Sequence, residues 1–275
     1  MARSETRTAR SSPVPGRLAP TCSAGTGQGR QTVTTVPGRL QVRELRLGAV
    51  GQAGPRAVGG TEVWFVDGES GGVGDGGPLL GVLGPEERRR ASEMREAADR
   101  ATYRAAHVGL RLLVGGVLGV APAEVAFVRE PCPGCGLAHG RPAVVGGSVH
   151  FSLSHCERYA MIALSPVRVG ADLERIPTGR AADAVVAALH PRERAELRAL
   201  CAADRGRELA RVWTRKEAYL KGLGIGLGRD VGLDYVGTAR PAIAGWRLRE
   251  VAAPEGYFAA VAEEEEPAGI VGLLG

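Results

Sequence analysis

Between residues 148 and 174 the chain reads as three strands in close succession, and this run limits the fold more than any other stretch. Ser148-Val-His-Phe-Ser-Leu-Ser-His-Cys156 reads as a strand ending at His155. Glu157-Arg158 is a turn, Tyr159 to Leu164 returns as the second arm of a hairpin, and Val169-Gly-Ala-Asp-Leu-Glu174 forms a third strand. Further strands are expected at Glu62 to Val66, Val125 to Arg129, about Gly245 to Glu250, and Tyr257 to Ala262.

Helical periods fill the intervals, so the fold class expected is α+β, a mixture of helices and sheets. Gly84-Pro85-Glu86-Glu87 opens one long helix with proline and acids in its first turn, where both are favoured. Met94, Ala98, Ala101, Ala105, Val108 and Leu112 continue it as an apolar stripe with a period near 3.6. Arginines 88, 89, 90, 95, 100 and 104 surround that stripe, either as solvated charges or as a group converging on an anion. Ala181 to Leu200 is interrupted at His190-Pro191 and so predicts two short helices. Another runs from about Arg207 to Lys221 and is ended by Gly222, Gly224, Gly226 and Gly228. Glu263 to Glu266 reads as a solvated acidic run.

With only 4% aromatic residues, alanine, valine and leucine must fill the core. The net charge of +5 invites a nucleic-acid reading, but residues 1–60 alone carry +7, which leaves the other 215 slightly acidic and unsuited to a phosphate groove. Residues 1–60, rich in Arg, Gly, Ser, Thr and Pro, are expected to be a disordered extension, with order beginning near Thr61. No run of 18 apolar residues and no signal-like N-terminus is present, so a cytoplasmic, soluble protein without a membrane partner is expected. Five cysteines at irregular spacing do not suggest a secreted disulfide scaffold. Cys132-Pro-Gly-Cys135 followed by His139 resembles part of a zinc knuckle without a fourth ligand at zinc spacing; a tight turn with free thiols, or a labile disulfide, is the other reading.

Lys216 and Lys221 are the only lysines in 275 residues. On a helix Trp213, Glu217 and Lys221 share one face, which suits a charged ligand, although an exposed Glu–Lys pair worth ~0.3–0.5 kcal/mol would look the same. Asp172 and Glu174, two apart on a strand, point to one face roughly 6–7 Å apart, close enough for one hard cation to bridge. An ordinary solvent face is the alternative.

Taken together, Phe151-Ser-Leu-Ser-His155, Val169-Gly-Ala-Asp-Leu-Glu174 and Trp213-Thr-Arg-Lys-Glu-Ala-Tyr-Leu-Lys221, preceded by Gly140-Arg141-Pro142, resemble the signature of the Sfp-type 4'-phosphopantetheinyl transferases in order and spacing. The resemblance covers about residues 61–265. It implies two similar α/β halves in a pseudo-two-fold arrangement, 61–167 and 168–275, joined near Ser165-Pro166, with coenzyme A in the cleft between them. It further implies a monomeric transferase of the holo-[acyl-carrier-protein] synthase type. Such an enzyme moves 4'-phosphopantetheine from coenzyme A to a serine of an acyl or peptidyl carrier protein and releases 3',5'-ADP. Carriers of fatty-acid, polyketide or nonribosomal peptide synthesis, the last two in secondary metabolism, are the expected partners.

By the same resemblance Asp172, Glu174 and Glu217 would ligate Mg²⁺, with Mn²⁺ as an alternative, and Glu217 would be the base, directly or through a water. Lys221 would reach the pyrophosphate with Lys216 assisting it or stabilising the helix. His155 would contact the 3'-phosphate, and Ser154 and Arg141 would line the nucleotide pocket. Family members often hold that phosphate with basic residues early in the first long helix and an arginine one turn after its aspartate. Here the early positions read Glu86-Glu87-Arg88-Arg89-Arg90 and the later one falls at Thr102. Arg90 stands in for the first group, and Arg100 or Arg104 for the second. The rival reading is a non-catalytic binder of coenzyme A or a carrier domain. Retention of Asp172, Glu217 and Lys221 argues against it, because a binder needs no metal cage beside a base.

Overall fold

Residues 40, 42–48, 58–147, 149–237 and 243–265 are described by a computed structural model. In chain order they form β1 (Val42–Leu45), β2 (Glu62–Asp67), α1 (Pro85–Glu93), α2 (Ala97–Leu118), β3 (Phe127–Arg129), β4 (Pro142–Val144), β5 (His150–Cys156), β6 (Tyr159–Ser165) and β7 (Val169–Arg175). After these come α3 (Gly179–Ala188), α4 (Pro191–Ala199), α5 (Ala202–Leu223), β8 (Trp246–Val251) and β9 (Tyr257–Glu264). The fold is α+β. One sheet has the order β1-β2-β6-β5, parallel only between β1 and β2. A second, antiparallel sheet has the order β7-β9-β8, and β3 and β4 form a short ribbon.

The unbroken apolar run of β6 has a reason in the packing. Ala160, Ile162 and Leu164 join the core beneath α2, with Ala105, Val108 and Leu113, while Met161 and Ala163 on the other face meet Val169, Ala171, Leu173, Ala259 and Val261 of the second sheet. A strand buried on both faces cannot alternate with polar residues. Strand β9 is used the same way, with Ala259 and Val261 toward the first sheet and Ala260 and Ala262 packed with Leu209, Val212 and Leu220 of α5. Alanine carries much of this packing, in keeping with the scarcity of aromatics.

In β7 the strand period sends Val169, Ala171 and Leu173 into the inter-sheet core and Gly170, Asp172 and Glu174 toward α5. A Cβ on Gly170 would lie 1.9 Å from the Ala218 carbonyl oxygen and 2.3 Å from the Gly222 amide nitrogen, so the α5 backbone rests directly on this residue. Gly222 in turn accepts the Trp246 ring, whose Cζ3 would come within 2.5 Å of an added Cβ.

Several expectations change. The extension is not wholly separate from the fold, because β1 pairs with β2 from Val42 to Leu45 and Leu40 bridges Val251; residues 1–39, 41 and 49–57 lie outside the described residues. The single long helix from Gly84 is two, broken at Met94-Arg95-Glu96, where Met94 caps α1 and its carbonyl accepts from Arg100 Nη1 at 2.8 Å. The break folds α1 back so that Glu87 meets Arg111 of α2 at 2.6 Å. Glu263 is not solvated, since it is 9% exposed and paired with Arg249 at 2.9 Å; Glu266 falls outside the described residues. No helix among the described residues is long and apolar enough to cross a membrane.

Replacing Gly170 by alanine has no low-energy accommodation because the obstructing atoms are backbone. A loss of about 1–3 kcal/mol or more is expected in urea denaturation, from overpacking alone.

Candidate active site

Edge strands β5 and β7 of the two sheets are joined through side chains. Ser152 Oγ accepts the Ala171 N–H at 2.9 Å, and Ser154 Oγ accepts that of Leu173 at 3.3 Å. Ser154 also donates to Asp172 Oδ1 at 2.9 Å and accepts from Lys221 Nζ at 3.1 Å. Lys221 Nζ lies 2.6 Å from the same Asp172 oxygen. Three elements, β5, β7 and α5, thus converge on one buried carboxylate, and Asp172 is 1% exposed.

Glu217 and Glu174 complete an acidic group around it. Burial raises the pKa of the half-buried Glu217, the Asp172 charge raises it further, and Lys221 opposes both. Burial, then Asp172, pushes Glu174 up to about 7, with Glu217 adding to the rise and Lys221 and a hydrogen bond from Trp213 opposing it. Asp172 Oδ2 is buried without a hydrogen-bond partner. An orphaned carboxylate oxygen is costly unless something else satisfies it. Three carboxylates facing one ammonium, with an oxygen to spare, form a donor set that fits a hard divalent cation. They are not drawn as tightly as a closed cage: the one group of three or more acidic, Cys or His ligands within 4.8 Å of one another, among the described residues, is elsewhere.

Lys221 also lines a cleft of about 870 Å³, together with Arg90, Arg141, His155, Tyr103 and His107. Arg141, 8% exposed, is held by Glu130 at 2.9 Å and by the Gly222 carbonyl at 3.4 Å. His155 alternates with Ser154 along β5 and so faces the cleft, exposed at its mouth; partial desolvation by the surrounding walls, then the charges of His107 and Lys221, depresses its pKa. Five cationic or protonatable side chains, Lys221, Arg90, Arg141, His155 and His107, around a concave wall suit a polyanion.

Sequence reasoning missed the floor of this cleft. Burial would raise the pKa of Glu87, but hydrogen bonds with His107, Arg111 and the Gly84 N–H bring it down to about 2. That network fixes α1 to α2 and places His107 in the cleft wall. The available signal was Arg111, an arginine within an apolar helical stretch that needs a buried carboxylate partner.

Two expectations are overturned. Lys216 does not reach the cleft: it is 1% exposed, its Nζ pairs with Glu193 at 2.7 Å, and it donates to the carbonyls of Val231 at 2.8 Å and Asp234 at 2.7 Å. On a helix the residue before Glu217 is turned by about 100° from it, which carries Lys216 into the core under α4. Neither Arg100 nor Arg104 lines the cleft; Arg100 caps Met94, and Arg104 pairs with Asp75 at 2.6 Å. Arg90 does line it.

A family model described as the 4'-phosphopantetheinyl transferase superfamily matches residues 168–263. The 4'-phosphopantetheinyl transferase HetI of Nostoc sp. is 31% identical over 195 residues, covering 67% of this chain and 79% of HetI. A putative 4'-phosphopantetheinyl transferase, slr0495 of Synechocystis sp., is 26% identical over 151 residues, 53% of this chain and 58% of that protein. The chain belongs to the 4'-phosphopantetheinyl transferase superfamily, as its four motifs led one to expect, and its reaction class is phosphopantetheinyl transfer.

Glu193→Gln leaves the Lys216 ammonium buried without its counter-charge and is expected to cost about 3–5 kcal/mol in urea denaturation. The ligand affinity of the folded fraction should be unchanged, because the pair lies outside the cleft. A second expectation concerns pH. Glu174 binds its proton more tightly folded, near 7, than at its ordinary 4.5, so the stability this gives is complete below 4.5 and is lost as pH rises through about 7. Thermal melts in chelator should show Tm falling across that window, with a shallower fall in Glu174→Gln.

Proposed function

We propose that the protein transfers 4'-phosphopantetheine from coenzyme A to a serine of an apo acyl or peptidyl carrier protein, with Mg²⁺ held by Asp172, Glu174 and Glu217. The observation that supports this best is the buried, partnerless Asp172 Oδ2 beside two carboxylates of raised pKa, at the Lys221 edge of a cationic cleft. The halves 61–167 and 168–275, each with a 22-residue helix on a sheet, are read as the two walls of the coenzyme site.

In this reading the serine oxygen attacks the phosphorus that carries the pantetheine arm. A new P–O bond forms, the bond to the bridging pyrophosphate oxygen breaks, and 3',5'-ADP leaves. Mg²⁺, when bound, supplies charge neutralisation for the pyrophosphate. Glu217 takes the serine proton; its raised pKa brings it toward the range in which a carboxylate is an effective base. Lys221 offsets the charge that grows on the leaving group. It is kept in place by Asp172 and Ser154, so its position costs no reorganisation during the reaction. His155, Arg141 and Arg90 take the phosphates and nucleotide of coenzyme A along the cleft wall.

Incubation of the purified protein with coenzyme A, Mg²⁺ and an apo carrier protein is expected to add one phosphopantetheine to the carrier, read by intact-mass spectrometry. Glu217→Gln should abolish the addition while leaving the fold intact. Absence of any gain with several unrelated carriers would overturn the reading.

A further inference from the structure

The loop from Glu130 to Arg141 joins β3 to β4 and delivers His139, Gly140 and Arg141 to the cleft wall. It has almost no apolar content of its own to hold it. Residues 133 to 139 are all exposed, Leu137 at 65%, and Cys132 alone between Pro131 and His139 is buried. Its backbone nevertheless follows a defined course. The Cys132 N–H donates to the Leu137 carbonyl at 2.7 Å, and the N–H groups of Cys135 and Gly136 return to the Cys132 carbonyl at 3.3 and 2.8 Å. The Gly136 φ of +75° suits glycine at that turn. At the base, the Glu130 N–H donates to the Arg141 carbonyl at 3.0 Å and the Gly140 N–H to the Glu130 carbonyl at 2.9 Å, and a Cβ on Gly140 would strike that carbonyl at 2.5 Å.

This course brings Cys132 Sγ, Cys135 Sγ and a His139 ring nitrogen within 4.8 Å of one another. Cys135 Sγ and His139 Nε2 are 2.9 Å apart. Metal–ligand bonds of about 2.3 Å to sulfur and 2.0–2.1 Å to nitrogen put tetrahedral ligands roughly 3.4–3.8 Å apart, so this contact has to open by under about 1 Å to admit the ion. Two sulfurs and an imidazole are borderline-soft donors, unlike the all-oxygen carboxylate group, and they select zinc over magnesium. Both cysteines are free thiols.

We propose that Cys132, Cys135 and His139 bind one Zn²⁺, with water in the fourth position, and that the ion holds the loop that presents Arg141 to the cleft. Cys135 and His139 are exposed, which leaves the fourth position open to solvent. The ion does no chemistry on the substrate. It replaces the missing apolar core of the loop, as metals do in segments too small to bury one. The first half stands on the ligand geometry alone, whereas the second half rests on the reading of the cleft as a coenzyme A site.

The test uses the full chain, purified with reductant and without chelator. Elemental analysis should find one zinc per chain, and Co²⁺ in its place should give thiolate-to-cobalt charge-transfer absorption. Cys135→Ser and His139→Asn, both at exposed positions, should each lose the ion while keeping the circular dichroism of the wild type. Both should raise the KM for coenzyme A several-fold with a smaller change in kcat. Zinc absent from the wild type after reconstitution, or retained in both variants, would overturn the site; so would a Cys132–Cys135 disulfide persisting in reductant. Zinc lost with KM unchanged would remove the role in presenting Arg141. A wild type that binds zinc but transfers nothing would count against the function proposed above and leave the metal site standing.

Discussion

The close approach of α5 to β7 is the contact on which the site depends. A strand and a helix normally keep side chains between them, and here Gly170 removes that layer so that the two backbones touch at Ala218 and Gly222. The gain is positional. Asp172 is two residues along the strand from that contact, and Glu217 and Lys221 flank Ala218 and Gly222 on the helix, so carboxylates and ammonium meet across a gap that an ordinary interface would hold open. On the far face of β7, Val169, Ala171 and Leu173 are locked into the core between the sheets, which keeps the strand from yielding. Close packing of this kind transmits geometry to the charged groups without leaving them to find one another.

Much of this was legible in the residues. The hairpin, β7, the break at His190-Pro191 and the helix bearing Trp213, Glu217 and Lys221 follow from strand and helix periods and from proline, which act locally. What escaped notice depended on partners distant in sequence. The stripe from Met94 to Leu112 begins inside the gap between α1 and α2, and periodicity records which face is apolar but carries no information about a change in axis direction. Strand β1 is four residues in a polar extension and exists because β2 offers it an edge. Within the site, the positions of Asp172, Glu217 and Lys221 can be read from spacing, whereas the floor made by Glu87, His107 and Arg111 cannot, since it depends on α1 folding back on α2.

The buried acids and bases divide into two kinds. Glu193 and Glu87 are fully engaged: Glu193 accepts from Lys216 and from the backbone N–H groups of His190 and Val236, and Glu87 accepts from Arg111 and the Gly84 N–H. Such groups set the arrangement of helices and have no capacity left for a ligand. The carboxylates around Asp172 are under-engaged, with one oxygen unpartnered and two pKa values displaced upward. This contrast separates charge that is used up in holding the fold from charge left open to a ligand more sharply than burial does, for Asp172 and Glu193 are both almost wholly buried.

The two lysines also explain a peculiarity of the whole chain, which uses arginine at every other basic position. Lys216 Nζ has three donors and meets three acceptors, Glu193 and the carbonyls of Val231 and Asp234, at 2.7, 2.8 and 2.7 Å. A tetrahedral ammonium fills such a pocket, and a flat guanidinium of five donors does not. Lys221 likewise threads a single point charge between Ser154 and Asp172. In a chain that otherwise relies on arginine, the two lysines thus mark the places where the shape of the cation decides and a fork cannot replace a point.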